Sequence, residues 1–356
     1  MAKLYTRFLQ IGCLILCALP LRLSAQQDYH FSQFFAAPIT YNPAMAGAYE
    51  GDFRSMLNYR NQYSALSQPF RTMAFTADMP IKISQEERDQ NFLGAGLQVI
   101  SDNSGTLDFN TLHVAGSLSY ALDLGGTSSN PNFIAVGLQF GFMQRTLDFN
   151  NATWETQWNG IGFDPSVNSQ EGYRGIMQEN NLLLGGGATW FKSLDETTRL
   201  VVGAALLNAN APRVEMLGEE NALLRKVVFH AGMSIEREEA MMTFLPNMFV
   251  MFQGPNRIID IGSEVEFSLW DRTQFTDFRN NLSTNVGAYY RYQDAIYFIG
   301  RVNYYDFSLG ISYDFTTSGL NRGNNGQGGV ELVLGYRTRF SGPGTGRQKL
   351  TKSKGL

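Results

Sequence analysis

Apolar and polar side chains alternate at every second position over long stretches of this chain. The segment 306–315, which reads DFSLGISYDF, carries aromatic and aliphatic side chains on one face and aspartate, serine and glycine on the other. The segments 72–79, 257–270 and 330–340 repeat this alternation. A strict period of two residues is typical of β-strands that have one apolar and one polar face.

The alternating segments, separated by turn-forming residues, predict an antiparallel β-protein of about 14 strands. An even number is what a bacterial membrane barrel requires. The predicted strands are 53–61, 70–80, 92–101, 107–122, 132–149, 179–192, 198–209, 222–236, 242–252, 257–271, 283–293, 295–304, 306–316 and 329–340. The longest predicted surface loop is 150–178, and a Gly/Asn-rich loop covers 317–328.

Alternation alone also suits a soluble sandwich of two sheets. A membrane barrel is favoured because the strands are close to the roughly 9–11 residues that a tilted membrane strand needs. Aromatic residues also crowd the strand ends, as in the aromatic girdles of such barrels. The tyrosines assigned to these girdles are Tyr59, Tyr63, Tyr289, Tyr290, Tyr292, Tyr304 and Tyr305. We therefore predict an all-β outer-membrane antiparallel β-barrel, since strands in hydrocarbon must close on themselves.

The N-terminus indicates export. An apolar run at 8–19 follows a basic start and leads to small residues ending at Ala25, so residues 1–25 are predicted to be a signal peptide. The run is shorter than the ~20 residues of a membrane-spanning helix. Cys13 and Cys17 both lie inside it, so the mature chain has no thiolate for a metal or a nucleophile.

Composition narrows the class of protein further. The net charge is −4, which argues against a nucleic-acid partner because such binding depends on neutralising phosphates. Charged residues make up 17% of the chain and aromatic residues 13%, and no later apolar run is long enough for a helical membrane span. A β-rich exported protein fits all of these values.

Residues 26–52 are unusually aromatic for an export linker, which is the alternative interpretation. The aromatic residues near its start are Tyr29, Phe31, Phe34, Phe35 and Tyr41. Asn42 followed by Pro43 predicts a helix start, with Asn42 as N-cap, and Gly47 predicts its end after about one turn. We expect this N-terminal segment to fold into the lumen of the barrel and to bury its rings there.

Charged side chains on the polar faces of the later strands are predicted to fill the rest of the lumen. Asp260, Glu264 and Glu266 should lie near Arg291 and Arg301 of the following strands. The last strand adds Glu331, Arg337 and Arg339. The pattern fits either a structural plug of salt bridges or a charge-selective conduit, because opposite charges attract more strongly in a partly dry lumen.

Several motifs of the chain carry a family resemblance. QDYHFSQFF, YNPAMAGAY and LNYRNQY followed by Pro69-Phe70 stand near the start, and GAGLQVISDNSG, LSYAL, FDP, VGAYYRYQDA and LGISYDF follow in order. Together they resemble the PorP/SprF family of the type IX secretion system of the Bacteroidetes. A family-typical Gly-Ser-His-Glu is here Gly328-Gly329-Val330-Glu331, which puts any contact made by that histidine in doubt. Candidate binding residues from these motifs are His30, Phe31, Gln33, Asn42, Pro43, Arg60, Asn61 and Gln62.

The resemblance implies a fatty-acid-transporter-like barrel in outer-membrane lipid that acts in type IX secretion and gliding. It also implies two kinds of partner: an adhesin-type surface protein held or secreted through its C-terminal sorting domain, and periplasmic ring subunits of the system. The predicted organisation is a signal peptide at 1–25, a plug-like segment at 26–52, the transmembrane barrel at 53–340 and a basic flexible tail at 341–356. A diffusion channel for hydrophobic small molecules is the alternative function.

Catalysis is not expected. None of the three histidines stands in a metal-binding spacing such as HExxH. His113 is in phase with Ser117 and Ser119 on one predicted strand, which raises the hypothesis of an outer-membrane lipase, but the sequence names no third, orienting group. We therefore predict no enzyme activity, no cofactor and no metal.

Overall fold

The structure is a computed structural model that describes residues 28–338, apart from 64–68, 84–90, 106, 126–129, 151, 165, 171, 173–174, 217–218, 238–239, 269–281, 320 and 325. The predicted signal peptide and the predicted basic tail at 341–356 lie outside the described residues. Within the described part, no helix is both long and apolar enough to cross a membrane.

Fourteen antiparallel strands form a closed barrel, which confirms the predicted fold class. Each barrel strand pairs with the barrel strands before and after it in the sequence. The first strand, Phe53–Gln62, closes the barrel by pairing with the last, Gln327–Thr338, from Phe53 opposite Thr338 to Gln62 opposite Gly329. The barrel strands are β1 Phe53–Gln62, β2 Phe70–Lys82, β3 Phe92–Ser104, β4 Phe109–Asp123, β5 Asn132–Asp148, β6 Ile176–Ser193, β7 Thr198–Leu207, β10 Lys226–Arg237, β11 Met242–Gln253, β12 Asn256–Ser268, β13 Leu282–Arg291, β14 Ala295–Tyr304, β15 Phe307–Thr316 and β16 Gln327–Thr338.

Residues between β7 and β10 form a separate two-stranded sheet of β8 Arg213–Met216 and β9 Glu219–Ala222. The predicted strand at 222–236 is wrong at its start, because Ala222 pairs with Arg213 and the barrel strand begins at Lys226. Polar and apolar residues alternate over only four residues in β8 (RVEM) and not in β9 (EENA), which is too little to mark the hairpin in the sequence. Short 3-10 helices occur at Pro38–Thr40, Pro43–Met45 and Glu155–Gln157, and a short helix α1 at Asn321–Asn324.

The alternation seen in the sequence separates the inside of the barrel from the outside. In β15, Leu309 and Ile311 are more than half exposed on the outer face, whereas Ser312 and Asp314 are buried inside. Exposed aromatic rings such as Tyr290, Tyr304 and Phe307 lie near the strand ends. Tyr289, which the sequence pattern assigned to a girdle, is instead buried in the lumen, because it is one residue out of phase with Tyr290.

The barrel has two distinct ends. We call the end where β1 begins and β16 ends the terminal end, and the opposite end the loop end. The loop end carries the long connection 149–175, the connection 208–225 that contains the β8–β9 hairpin, and the connection 317–326 that contains α1.

Residues 28–52 lie inside the barrel. Nearly all of their side chains from His30 to Tyr49 are buried, and they contact inward-facing residues of strands around the whole circumference. Tyr29 reaches β4, Asn42 reaches β6 and β10, and Ser32 reaches β15 and β16. A segment with partners on all sides of a closed sheet must occupy its lumen.

Candidate functional site in the barrel lumen

The N-terminal segment turns inside the lumen at Asn42 and Pro43. Asn42 is the N-cap of the 3-10 helix Pro43–Met45, and its Oδ1 accepts a hydrogen bond of 3.0 Å from the backbone N–H of Ala44. The predicted cap is confirmed, and Gly47, at φ +68°, lies just past the end of the turn. The Asn42 side-chain amide also lies 2.9 Å from Thr189 Oγ1 and 2.9 Å from His230 Nε2. One side chain thus caps the turn and joins it to the wall.

Glycines of the wall allow this turn to approach the strands closely. A Cβ on Gly137 of β5 would lie 2.5 Å from the carbonyl carbon of Pro43, and a Cβ on Gly187 of β6 would collide with Asn42 Oδ1. Distances this short are not tolerated between real atoms, so any larger residue at these two positions would push the segment away. Gly137 in β5 and Gly187 in β6 therefore leave the space in which the turn at Asn42–Pro43 packs against the wall.

Two buried arginines and their carboxylate partners join five strands at the other side of the lumen. Arg60 of β1 lies 2.7 Å from Asp314 of β15 and 3.2 Å from Glu331 of β16. Arg291 of β13 lies 3.0 Å from Asp260 of β12 and 2.9 Å from Asp314. The five side chains are almost completely buried, and we call them the arginine cluster.

Ser32 of the N-terminal segment lies at the centre of the arginine cluster. Its hydroxyl donates to Asp314 at 2.8 Å and accepts from Arg60 and from Arg291, the latter at 3.0 Å. Its backbone N–H donates to Glu331 at 2.7 Å. Charge-assisted hydrogen bonds are among the strongest in proteins, so this single serine ties the segment to strands from both sides of the barrel closure.

Aromatic packing continues from this cluster towards the turn. Phe34 stacks on Phe249 of β11 at 5.0 Å between ring centroids, and Phe35 stacks on Tyr289 at 6.1 Å. Arg301 lies over the ring of Phe35 at 4.6 Å and 3.3 Å from Glu264. The sequence-predicted neighbours Arg301 and Glu264 are thus brought together, and the segment covers their pair.

Two further ion pairs hold the beginning and the end of the segment. Asp28 lies 2.9 Å from Lys226 at the start of β10. At the other end, Arg54 forms a bidentate pair with Asp78, whose Oδ2 also accepts from the backbone N–H of Gly47 at 2.8 Å. Neither pair was singled out from the sequence, although Asp78 already lies on the polar face of its strand.

Burial changes the protonation behaviour of the segment. Burial lowers the pKa of His30 well below its usual value, and the positive charges of Arg291 and Arg60 lower it further. Burial by itself would raise the pKa of Asp28, but Lys226 outweighs this effect and the pKa is lowered overall. His30 is therefore neutral and Asp28 charged at neutral pH.

The remaining sequence-predicted residues lie in different surroundings. Phe31 is buried, with its backbone N–H bound to the Tyr41 hydroxyl at 2.8 Å, and the Gln33 backbone N–H donates to Glu331 at 3.1 Å. Gln62 accepts from Arg60 at 3.4 Å. Asn61 is not brought to this site, because it lies on the opposite face of β1 from Arg60. Ser32 was missed because a single serine between Phe31 and Gln33 gives no pattern signal.

The histidine and serines of the lipase hypothesis have other partners. His113 Nδ1 lies 3.0 Å from the hydroxyl of Tyr29, and the Ser119 hydroxyl donates to the carbonyl oxygen of Ala46 at 2.8 Å. Ser117 accepts from Gln139 at 3.4 Å. All three contacts are structural, because they join strands to the segment or to each other. Among the described residues, no group of His, Cys, Asp and Glu side chains could hold a metal ion.

A small cavity remains between the segment and the wall. It has a volume of about 40 Å³ and is lined by Phe34, Tyr41, His230, Asn247 and other residues of the segment, β10 and β11. Within the described residues, the pairing of these two strands is interrupted between Gly232–Asn247 and Ile235–Phe244. Pro246 lies in this interval and has no N–H to contribute to the ladder.

Comparisons with solved structures find proteins that are described as channels, porins and transporters. The chain is similar to CymD, a monoaromatic hydrocarbon channel, with 11% identity and a TM-score of 0.47 over 88% of this chain and 94% of that one. It is similar to a Pseudomonas aeruginosa FadL homologue with 10% identity and a TM-score of 0.40 over 83% of this chain and 92% of that one. A search of curated proteins finds no significant match.

The family comparison covers almost the whole chain. The model described as "Type IX secretion system membrane protein PorP/SprF" matches residues 23–336, which include the N-terminal segment and nearly all of the barrel. The chain therefore belongs to the PorP/SprF family of type IX secretion system membrane proteins and is a β-barrel of the outer membrane.

Proposed function

We propose that this protein is a non-catalytic outer-membrane component that helps to secrete or anchor an adhesin-type surface protein through the C-terminal sorting domain of that cargo. Family membership supports a place in the type IX secretion system. In the proposed orientation, the loop end faces the cell exterior and the terminal end faces the periplasm. Ring subunits of the secretion system are the second expected partner, on the periplasmic side. The predicted tail at 341–356 would extend from that end.

The occupied lumen is the observation that carries this proposal. Ser32, Asn42 and Gly47 tie the segment to three separate parts of the wall. A lumen that is filled and cross-linked in this way is poorly suited to conduct a folded protein or ions, which supports a binding role. The surfaces left for function are therefore the two ends and the outside of the barrel, which suits a protein that acts by binding others.

The alternative is a diffusion channel for hydrophobic small molecules. The interrupted pairing of β10 and β11 beside the lumen cavity favours it, because a weakened wall could open sideways into the lipid. This cavity by itself does not hold such a molecule, because about 40 Å³ is far below the ~150 Å³ that holds a benzene ring in a protein interior. We therefore retain cargo binding as the proposed function.

Deleting the gene and comparing the surface proteins of the mutant with those of the parent tests the proposal. We expect loss of at least one secreted protein that carries a C-terminal sorting domain, with recovery on complementation and unchanged uptake of monoaromatic hydrocarbons. Reduced hydrocarbon uptake with a normal set of surface proteins would favour the channel. Phospholipid hydrolysis that is retained after His113→Ala would dispose of the lipase hypothesis.

A further inference from the structure

An apolar finger stands out from the longest connection at the loop end. Trp158 and Phe163 pair across a tight turn, with ring centroids 5.1 Å apart. The Asn159 side chain closes the turn by accepting from the backbone N–H groups of Ile161 and Gly162, each at 3.0 Å. Gly160 takes φ +94°, which the turn requires. We call residues 158–163 the finger.

The base of the finger is fixed by hydrogen bonds within the connection. Gln157 donates to the carbonyl oxygen of Val167 at 3.0 Å, and its own carbonyl oxygen accepts from the backbone N–H of Asp164 at 2.9 Å. Thr156 donates to the carbonyl oxygen of Ser169 at 2.7 Å. A side chain held on a preorganised turn loses little freedom on binding, so these bonds favour a role in recognition.

The finger exposes its apolar side chains. Ile161 at the tip is 94% exposed, Trp158 is 52% exposed and Phe163 is 50% exposed. Single exposed apolar residues are common, but a contiguous group held away from the protein marks an interaction site. Tryptophan is one of the residue types that are enriched in the hot spots near the centre of protein interfaces.

Charge indicates what kind of partner fits the finger. The connection 149–175 contains three acidic residues, Glu155, Asp164 and Glu171, and one basic residue, Arg174, so its net charge is negative. Hydrogen bonds from Ser166 lower the pKa of Asp164, so that this carboxyl is ionised at neutral pH. An anionic lipid headgroup would be repelled by this connection, whereas a partner with basic groups around an apolar pocket would be attracted.

From these observations we infer that the finger is the docking surface for the secreted cargo protein, which presents an apolar pocket for Ile161 and Trp158 with basic residues at its rim. This inference rests on the proposed function, because it takes the partner to be the cargo. The contact with the cargo then lies at the finger, one turn of the loop end, and the lumen has no direct role in cargo recognition.

The test uses the full-length chain in its own outer membrane. The deletion strain is complemented with Ile161→Ser, with Trp158→Ser and with a control, Leu194→Ser, which changes a side chain of 51% exposure in a turn at the terminal end. Because hot-spot residues dominate interface energies, we expect the amount of cargo at the surface to fall roughly tenfold in the two finger variants and to be unchanged in the control. Equal heat-modifiable gel mobility checks that each variant is folded.

A photo-crosslinking residue at position 161 identifies what the finger touches. We expect an adduct with the surface protein that is depleted in the finger variants. This adduct should be lost when Glu155→Lys and Asp164→Lys are combined in the crosslinking protein. Adducts with lipopolysaccharide alone would overturn the inference. Full cargo levels in both finger variants, in a system where deletion removes the cargo, would overturn it while leaving the proposed function intact. If deletion itself alters no surface protein, both are overturned.

Discussion

Arg60 and Arg291 each carry a positive charge into a lumen where side chains are almost completely shielded from solvent. Removing such groups from water is costly, and only close pairing with carboxylates and further hydrogen bonds compensates for this cost. Asp314 lies within 3 Å of both arginines, and Ser32 bonds to all three side chains. The contribution of each residue in the arginine cluster to the stability of the protein therefore depends on the other residues of the cluster.

Replacing Arg60 with Met should lower the free energy of unfolding by about 3–5 kcal/mol, because Asp314 and Glu331 would lose a buried positive partner. Urea-dependent unfolding of the purified barrel measures this change. The matched control is Arg257→Met, since this arginine is exposed and should cost less than about 1 kcal/mol. Adding Glu331→Gln to Arg60→Met should recover part of the loss. Additive effects of the two substitutions would show that the charges are not coupled.

His30 should make the stability of the protein depend on pH. Its pKa is lowered in the folded protein, so between the usual histidine pKa of about 6.5 and the lowered one only the unfolded chain takes up the proton. Stability should thus fall as pH decreases below about 6.5, by at most ~1.4 kcal/mol per pH unit from this group. Measuring unfolding at pH 7.5, 6.5 and 5.5 for wild type and His30→Gln tests this. Parallel curves for the two proteins would contradict it.

At the scale of elements, the strands were predictable and the partners of the N-terminal segment were not. Alternation depends only on neighbouring residues, so most strands, including β15 and β16, lie within a few residues of their predicted bounds. The cap at Asn42 is also local and was predicted. The contact of Pro43 with Gly137 joins residues that are distant in the sequence. A glycine in a strand can have several structural roles, so the sequence alone does not indicate this contact.

Gly137→Ala should loosen the segment. The added methyl group would overlap the backbone at Pro43 and Ala44, and overpacking of this kind costs about 1–3 kcal/mol. We expect faster chymotrypsin cleavage within residues 28–52, which contain several aromatic residues and are protected in the wild type. Gly116→Ala is the control, because a Cβ there would lie 4.0 Å from its nearest neighbour outside the adjacent residues. Equal cleavage rates in both variants would argue against the close approach.

At the scale of the whole molecule, the closed sheet and the segment form one unit. Pairing of β1 with β16 removes the free edges that hydrocarbon could not satisfy, and the segment fills the space that closure creates. Hydrogen bonds of Ser32 in the segment reach charged side chains on both sides of this closure, Arg60 on β1 and Glu331 on β16. Barrel closure and lumen filling therefore support each other.

Removing residues 28–50 should open the barrel. In planar lipid bilayers we expect step-like conductance from this variant and little or none from the wild type, because the segment occupies the lumen. The variant must keep its heat-modifiable gel mobility, which shows that it still folds as a barrel. Equal conductance of the two proteins would mean that the segment does not block the lumen, and it would weaken the case for a binding role.

The sequence by itself determined the β-class, the number of barrel strands and the inward direction of Asp260, Glu264, Arg291 and Arg301, because these follow from a period of two residues. Only the tertiary structure decided which charges meet, that Ser32 lies between them, and that the Trp158–Phe163 turn stands free at the loop end. The charge pairs and the position of Ser32 depend on contacts between different strands and the segment, such as Ser32 with Glu331, whose geometry exists only once the sheet has closed around the segment. The exposure of the local turn depends on where the closed sheet places its connection.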